Sequence, residues 1–452
     1  MTAGYRGLRH GHEMSPRSPM KVLDPNCKPP SFPAAQLSEC LQRCLTPQSV
    51  PPGLALPATP TFLPCFSEQP CVQPKSLPLA VGPPEMEPQV ACVESPEKTA
   101  GGVPMVQALR NKEGSELVSC QLSRLSGATL DAFCWELVAA VLPDICRLAC
   151  DVHASPVISQ LISLPDLAPD LRRRLVSSLR GSLLKLTRDK RGCWVLQQAL
   201  ELGGPELQDA LKDELKGKVL SCSQHLHGNF VLQKCVELLS QPAISFIASE
   251  LKNHALVAAL DVYSCRVLQR LIEHCQGSHM TELVEKLMRP DNLERLVTDA
   301  YGHNVLRALL VHGSGAELRR IVESLFAEEG KLLVYARNRH ASLVLDQCLE
   351  ALSGERAQEL KEERDAVMSA LLGEGSTSVF SLIALDRFGN YIVQRAISGC
   401  RGHEQQRILQ LLVSLGPRLR RTANGRHIMC AARKKFGSEA LAELGASLKA
   451  MH

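Results

Sequence analysis

The sequence repeats one nine-residue phrase: residues 189–197 read DKRGCWVLQ, residues 225–233 read HLHGNFVLQ and residues 261–269 read DVYSCRVLQ. The three closing glutamines are spaced 36 and 36 residues apart. Self-similarity at a fixed period of this size is typical of a stack of like units, each of which buries its apolar face against its neighbours. The phrase therefore predicts a solenoid rather than one globular core.

Further copies of the phrase lie on both sides of these three. They are residues 151–159 (DVHASPVIS), 299–307 (DAYGHNVLR), 338–346 (NRHASLVLD) and 386–394 (DRFGNYIVQ), with a weaker last copy at 423–430 (ANGRHIMC). Their last residues step by 38, 36, 36, 38, 39, 48 and 36, and the step of 48 contains an insertion around residues 373–378 that we expect to be a loop. Apolar residues recur at helical spacing throughout this region, so the prediction is an all-α chain.

The composition divides the chain near residue 115. Twenty of the 28 prolines fall in the first 104 residues. Because proline lacks an amide donor and is excluded from helix interiors, we expect residues 1–115 to be a disordered proline-rich tail. Residues 116–440 are predicted to form the helical domain, with about seven repeats and a C-terminal cap, and residues 441–452 a C-terminal tail.

Charge and cysteine usage exclude several classes of protein. The formal net charge is only +4, so any electrostatic footprint must be local. The 18 cysteines include no CxxC pair and no zinc-like spacing with histidine, so we expect no metal site, no cofactor and a reducing compartment. No run of 18 apolar residues occurs, so no membrane partner is expected. The signatures GxxxxGK[ST] and HExxH are absent, and no catalytic residues are predicted.

On a helical wheel the phrase separates into two faces. With Cys193 at 0°, the residues Val195, Leu196, Ala199 and Leu200 fall on one side, where they are expected to pack between units. Cys193, Trp194 and Gln197 share an arc of about 100° on the other side, with Cys193 and Gln197, the first and fifth residues of this polar arc, stacked one above the other. The Asp and Gly that precede them predict a capped helix start.

The polar arc varies from copy to copy while the apolar arc stays constant. Its first and fifth residues are mostly Asn, Cys or Ser with Gln, which suits a base edge, and four of the six residues between them are flat groups able to stack. A basic residue often follows the Gln, as at Lys234, Arg270 and Arg395, which predicts positive charge beside the arc. The expected nucleic-acid contacts are Cys193, Trp194, Gln197, Asn229, Phe230, Gln233, Cys265, Arg266, Gln269, His303, Asn304, Arg307, Ser342, Leu343, Asp346, Asn390, Tyr391 and Gln394.

These phrases resemble the RNA-reading helix of the Pumilio (PUF) repeat family, over about residues 131–436. The resemblance implies a right-handed superhelical solenoid of three-helix repeats in which one repeat reads one base of single-stranded RNA. It implies uracil for Asn390/Gln394 and Asn229/Gln233, adenine for Cys265/Gln269 and Cys193/Gln197, and guanine for Ser342/Asp346, although the family has Glu where Asp346 stands. Since RNA runs antiparallel in the family, the implied core is 5′-U-G-N-A-U-A.

Two regions depart from the family pattern. His303, Asn304 and Arg307 leave the third base open, and Ser155, Pro156 and Ser159 give no readable pair. The family's first repeat is not recognisable before Asp131. The alternative to base reading by these residues is that His303 is an ordinary surface residue and Arg307 contacts an RNA phosphate.

The function that the resemblance implies is sequence-specific binding of messenger RNA, in 3′ untranslated regions, with post-transcriptional control of stability or translation. We expect a cytoplasmic monomer whose N-terminal tail can recruit effector proteins. The alternative is a nucleolar ribosome-biogenesis factor with loose RNA specificity. An alternative of another class is a helical-repeat protein scaffold, whose concave face would not require amide pairs four residues apart.

Overall fold

The computed structural model describes residues 105–441, apart from residues 327, 329, 355–357 and 374–377. The described residues form 25 α-helices and two short 3₁₀ turns, with no β-strand among them. Within this part of the chain no helix is both long and apolar enough to cross a bilayer. The predicted all-α solenoid fold is confirmed.

The helices group into consecutive triplets, which we call units 1–8. Unit 1 contains α1 (Met105–Leu109), α2 (Lys112–Arg124) and α3 (Gly127–Val141), and unit 2 contains α4 (Ile145–Leu148), α5 (Ala154–Ser163) and α6 (Pro169–Ser177). Unit 3 contains α7 (Leu183–Arg188), α8 (Gly192–Leu202) and α9 (Gly204–Leu215), and unit 4 contains α10 (Val219–Ser223), α11 (Gly228–Leu238) and α12 (Gln241–Leu251). The 3₁₀ turns, Leu142–Asp144 and Lys252–His254, precede the first helices of units 2 and 5.

The second half repeats the same order. Unit 5 contains α13 (Ala255–Ala259), α14 (Ser264–His274) and α15 (Ser278–Leu287), and unit 6 contains α16 (Pro290–Thr298), α17 (Gly302–His312) and α18 (Gly315–Phe326). Unit 7 contains α19 (Lys331–Arg337), α20 (Ala341–Ser353) and α21 (Lys361–Leu372), and unit 8 contains α22 (Val379–Ile383), α23 (Gly389–Gly399) and α24 (His403–Leu419). A final helix, α25 (Ala423–Phe436), follows unit 8.

The middle helix of each unit packs against the middle helix of the next, from α2 through α5, α8, α11, α14, α17, α20 and α23 to α25. The apolar arc of the repeated phrase fills the space between them, as predicted: Val195, Leu196 and Ala199 are fully buried, and so are their counterparts along the row. The phrase therefore builds both the repeat and the row of parallel middle helices on which the candidate site lies.

The structure has one unit more than the predicted count of about seven, because α1–α3 form a further unit that begins ahead of Asp131, at Met105. The predicted domain start at residue 116 lies inside α2, so the helical region begins no later than Met105. This unit escaped sequence analysis because its middle helix carries neither a glutamine nor an aromatic residue at the expected positions. Most of the predicted tail (1–104), the core of the insertion (374–377) and the C-terminal residues 442–452 lie outside the described residues.

Candidate functional site

Every middle helix from α5 to α23 begins with the same side-chain contact. In unit 3, Oδ1 of Asp189 accepts hydrogen bonds from the backbone N–H groups of Arg191 (2.8 Å) and Gly192 (2.7 Å). These donors have no partner within the helix, so the carboxylate satisfies them and fixes where the helix begins. The same two bonds are made by Asp151, Asp261, Asp299, Asn338 and Asp386. The predicted Asp cap is confirmed.

Unit 4 makes this contact with histidine. Nδ1 of His225 accepts from the backbone N–H groups of His227 (3.2 Å) and Gly228 (3.3 Å), which requires an unprotonated Nδ1. Burial, followed by the charges of His227 and Arg188, lowers the pKa of His225 and so favours that neutral form.

The glycine at the start of the middle helices is required by space rather than by backbone conformation. None of Gly192, Gly228, Gly302 and Gly389 has a positive φ. A Cβ at Gly228 would lie 2.5 Å from the carbonyl oxygen of Cys222, and one at Gly389 would lie 2.8 Å from that of Ile383. Glycine at the predicted helix start therefore allows the close approach of two helices.

The first residue of each polar arc is buried, whereas the helical wheel placed it on the open face. Cys193 is 1% exposed, and Asn229, Cys265, His303, Ser342 and Asn390 are also buried. Their polar atoms bond the carbonyl groups at the start of their own helix: Nδ2 of Asn390, for example, donates to the oxygens of Asp386 (3.0 Å) and Arg387 (2.9 Å). The wheel gives a direction but not the neighbouring helix that covers it.

Positions are numbered from the first residue of the polar arc, so Cys193, Trp194 and Gln197 are the first, second and fifth positions of unit 3. The glutamines at the fifth position are held by the first-position residue in two different ways. In units 4 and 8, Nε2 of the glutamine donates to the side-chain oxygen of the asparagine, at 2.9 Å for Gln233 to Asn229 and 3.0 Å for Gln394 to Asn390. In unit 3, Nε2 of Gln197 donates to the backbone oxygen of Cys193 at 3.0 Å, and Gln269 does the same to Cys265. Each amide is thereby oriented, and Nε2 keeps a second N–H.

The second position supplies the exposed side chains of the row. Trp194 is 64% exposed, Tyr391 63% and Phe230 48%, and Leu343 and Arg266 are exposed too, while Asn304 is half-buried. Trp194 and Phe230 lie on neighbouring middle helices, and exposed apolar patches bordered by polar groups mark binding sites. We call the surface formed by the second and fifth positions of α8, α11, α14, α17, α20 and α23 the middle-helix face.

Unit 6 departs from this arrangement. His303 is buried, and its Nδ1 lies 2.9 Å from the backbone oxygen of Asp299. A carbonyl can only accept, so Nδ1 carries the proton and Nε2 is left as an acceptor. Burial lowers the pKa of His303 to about 4, which keeps the ring neutral at pH 7. The ring lies 4.9 Å from that of His340, and Nη2 of Arg307 is 3.4 Å from Oε1 of Gln347 in unit 7.

Unit 7 places an ion pair at the fifth position, where units 3, 4, 5 and 8 have a glutamine amide. The Asp346 carboxylate is bonded by Arg395 of unit 8 through Nε to Oδ1 (2.9 Å) and Nη2 to Oδ2 (3.1 Å). This contact, the largest influence on the guanidinium, raises the pKa of Arg395. Oγ of Ser342 donates to the backbone oxygen of Arg339 at 3.2 Å.

The basic residues that follow the glutamines join neighbouring units. Nζ of Lys234 lies 2.5 Å from Oε1 of Glu201 in unit 3, and Nε of Arg270 lies 3.2 Å from Oε1 of Glu237 in unit 4. Nη1 of Arg395 donates to Oε1 of Glu350 in unit 7 at 3.2 Å. In each pair the glutamate lies eight residues after the first residue of its own unit's polar arc. The expected positive charge beside the face is thus largely neutralised, and we call this series of contacts the inter-unit ladder.

The ladder continues with neutral pairs into units 1 and 2. Oγ of Ser163 donates to Gln198 at 2.7 Å, and Nε2 of Gln160 donates to Ser123 at 3.0 Å. These equivalences align α2 with the other middle helices and give Ser115, Glu116 and Ser119 as the positions matching Cys193, Trp194 and Gln197. Asn111, whose Oδ1 accepts from the N–H of Gly114 at 2.8 Å, was the one sequence signal for this unit.

Units 1 and 2 therefore carry no amide pair. Ser115 and Ser155 are buried, and Oγ of Ser119 donates to Gln160, which occupies the space between the two helices. Pro156 is exposed and lies on α5. All eighteen predicted contact residues lie in units 3–8, and the fifth-position glutamines lie in units 3, 4, 5 and 8.

The comparisons agree with this division. The sequence is similar to the Pumilio-family RNA binding repeat in six segments, residues 182–216, 218–252, 258–288, 292–326, 333–363 and 380–413, which correspond to units 3–8. No curated protein matches the chain in sequence.

Solved structures share the fold at low sequence identity. The PUF-8 complex with PBE-RNA has a TM-score of 0.63 and 22% identity, covering 74% of this chain and 93% of that one. The Puf3 RNA binding domain bound to the Cox17 RNA 3′ UTR recognition sequence site B has a TM-score of 0.62 and 21% identity, covering 73% of this chain and 94% of that one. The RNA-binding domain of yeast Puf5p bound to SMX2 RNA has a TM-score of 0.57 and 18% identity, covering 74% of this chain and 97% of that one.

Proposed function

This chain belongs to the Pumilio family, and on that premise we propose that it binds single-stranded RNA in a sequence-specific way, with one unit reading one base. The observation that carries the proposal is the row of exposed Trp194, Phe230 and Tyr391 side chains beside oriented glutamine amides. Flat side chains give bases a stacking surface, and fixed amides give each base edge a donor and an acceptor. A protein scaffold needs neither feature at this regular spacing.

The amide geometry supports different bases in different units. An amide held by one N–H keeps its carbonyl oxygen and one donor, which can match the Watson–Crick edge of adenine or of uracil. The neighbouring first residue then supplies the difference, asparagine in units 4 and 8 and cysteine in units 3 and 5. Adding the family's pairing, with RNA antiparallel to the chain, we propose the core 5′-U-G-N-A-U-A, read from unit 8 to unit 3.

The proposed targets are messenger RNAs. The similar Puf3 RNA binding domain is bound to a 3′ UTR recognition sequence. We propose the same class of ligand for this chain, with a role in controlling mRNA stability or translation in the cytoplasm. A monomer would suffice, because units 3–8 of a single chain present the whole row. Effector recruitment through residues 1–104 is part of the proposal.

A second candidate is a nucleolar ribosome-biogenesis role with loose RNA specificity. It is favoured by one observation: units 1, 2 and 6 have neither a glutamine nor a carboxylate at the fifth position, so three of the eight units have no standard reading residues. Looser reading at these units would lower the discrimination of the whole row.

Selection from a random RNA pool by the full chain tests the proposal. We expect enrichment of a UGNAUA-like core, with the third position unselected. Enrichment of structured RNA without a common sequence would favour the ribosome-biogenesis role. Absence of any RNA affinity in a folded protein would contradict RNA binding and leave the protein-scaffold interpretation.

A further inference from the structure

The carboxylate expected to read guanine is already engaged by another side chain. Arg395 bonds both oxygens of Asp346 through parallel contacts of 2.9 and 3.1 Å, and its third nitrogen reaches Glu350 at 3.2 Å. Bidentate pairing of this kind fixes both side chains and is stronger than single hydrogen bonds between neutral groups. Arg395 is thus held by two acids of unit 7 at once.

Guanine would need the same side of the carboxylate. Its Watson–Crick edge offers two parallel N–H donors, which match the two oxygens of a carboxylate in the way that a guanidinium does. A carboxylate has one such end-on side, so Arg395 and guanine compete for it. Asp346 also has one methylene fewer than Glu, and it cannot extend beyond the arginine to meet the base.

This capture is particular to unit 7. The other cationic pairs of the ladder join Lys234 to Glu201 and Arg270 to Glu237, next to fifth-position residues that are the amides Gln197 and Gln233. Those amides are bonded within their own phrase instead. Only in unit 7, among the described units, does a fifth-position acid lie beside a ladder arginine.

We propose that Arg395 is a specificity-determining residue for the base read by unit 7: by pairing with Asp346 it withholds the carboxylate and limits selection of guanine at the second base. The inference rests on the proposed function and refines it at one position. Selectivity at that base is set by a residue of the neighbouring unit, so the second base cannot be read from the side chains of unit 7 alone.

The test is the ratio of dissociation constants for two RNAs, 5′-UANAUA and 5′-UGNAUA with the same nucleotide at N, measured by fluorescence anisotropy on the full chain. Arg395→Gln removes the competitor and leaves Asp346 in place. Because hydrogen bonds to a charged group stabilise by about 1.5–3 kcal/mol, we expect the preference for guanine to rise by roughly 10- to 150-fold. Using a ratio cancels any general loss of affinity.

Two further variants keep the result interpretable. Arg270→Gln removes a ladder arginine that has no acid at the fifth position beside it, and it should leave the ratio at the second base unchanged. Arg395→Lys replaces the fork by a point charge that cannot pair with both oxygens, so it should raise the ratio in the same direction even if the Gln variant does not fold.

An unchanged ratio in folded Arg395 variants, or a fall in guanine preference, would overturn the inference while leaving RNA binding intact. Loss of binding to both RNAs by the folded wild-type chain would overturn the proposed function and the inference with it. Circular dichroism melting on each protein distinguishes loss of binding from loss of fold.

Discussion

At the scale of single residues, the three positions of each phrase have different tasks. In units 3, 4, 5 and 8 the first residue is buried and bonded to its own helix start, the second is open, and the fifth is oriented by the first. Burial of the first residue means that it acts on a base chiefly by positioning the fifth. Sequence analysis found all three positions but gave them equal exposure, because a helical wheel contains no information about the neighbouring unit.

The open second position leads to a prediction for Trp194. Replacing this residue with alanine removes a stacking surface, so we expect RNA affinity to fall by about 5- to 150-fold, corresponding to about 1–3 kcal/mol per stacked base. Since Trp194 is 64% exposed, the melting temperature should hardly change. Val257→Ala, at a 54% exposed residue of α13 away from the middle-helix face, is the control and should alter neither quantity. Equal affinity in the Trp194 variant would remove the stacking role.

At the scale of elements, the start of each middle helix is the most regular feature of the chain. One side chain accepts from two backbone N–H groups, and the helix begins three residues after it. These starts could be predicted from the sequence because Asp, Gly and the apolar pattern agree locally. The first unit could not, since Asn111 and Gly114 stand before serines that carry no reading pattern.

Contacts between elements were beyond sequence reasoning for a different physical reason. Asp346 and Arg395 are 49 residues apart, and the loop insertion between units 7 and 8 hides their ladder relationship. A basic residue after three of the four glutamines could be seen in the sequence, but its partner lies in the preceding unit. Its charge was therefore assigned to the ligand rather than to the fold.

The start of α17 gives a pH prediction. The pKa of His303 is about 4 in the folded chain against an ordinary value of 6.5, so between these values the unfolded chain binds more protons. The contribution of His303 to stability is therefore complete above pH 6.5 and is lost as the pH falls towards 4. Between pH 7.5 and pH 5 we expect a loss of about 2 kcal/mol from this residue.

Urea unfolding of the wild type and of His303→Asn at the two pH values measures this contribution. Asparagine occupies the same position in units 4 and 8, so the variant is expected to fold. The difference in unfolding free energy between the two pH values should be smaller in the variant by that amount. His225 and His340, whose pKa values burial also lowers, remain in both proteins as a common background. An equal pH dependence in the two proteins would contradict the account.

At the scale of the whole molecule, stability should accumulate unit by unit, because each middle helix packs mainly on its two neighbours. The predicted boundary at residue 116 matters here, since α2 packs on α5 and buries Val118 and Leu122. A truncation placed by composition alone would cut through this helix.

Two truncations test the N-terminal unit. Removing residues 1–104 should change neither the melting temperature nor RNA affinity, because α1 and α2 remain and the predicted contact residues all lie in units 3–8. Removing residues 1–125 should lower the melting temperature, since burial of each Val or Leu side chain contributes about 1.5–3 kcal/mol. If the shorter truncation weakened RNA binding by about tenfold or more, the tail would be part of the binding site.

A double substitution in unit 5 is the sharpest test that one unit reads one base. Cys265→Ser with Gln269→Glu gives unit 5 the guanine pair that the family resemblance implies. No ladder arginine can capture the new carboxylate, because the residue that corresponds to Arg395 is Ala308. A mismatched polar edge costs about 1–3 kcal/mol, so the variant should prefer 5′-UGNGUA over 5′-UGNAUA by roughly 5- to 150-fold, whereas the wild type prefers the reverse. Dissociation constants of both proteins for both RNAs decide the matter. A switch confined to the fourth base is the predicted result, and a retained preference for adenine, or a change of preference at any other base, would contradict the claim.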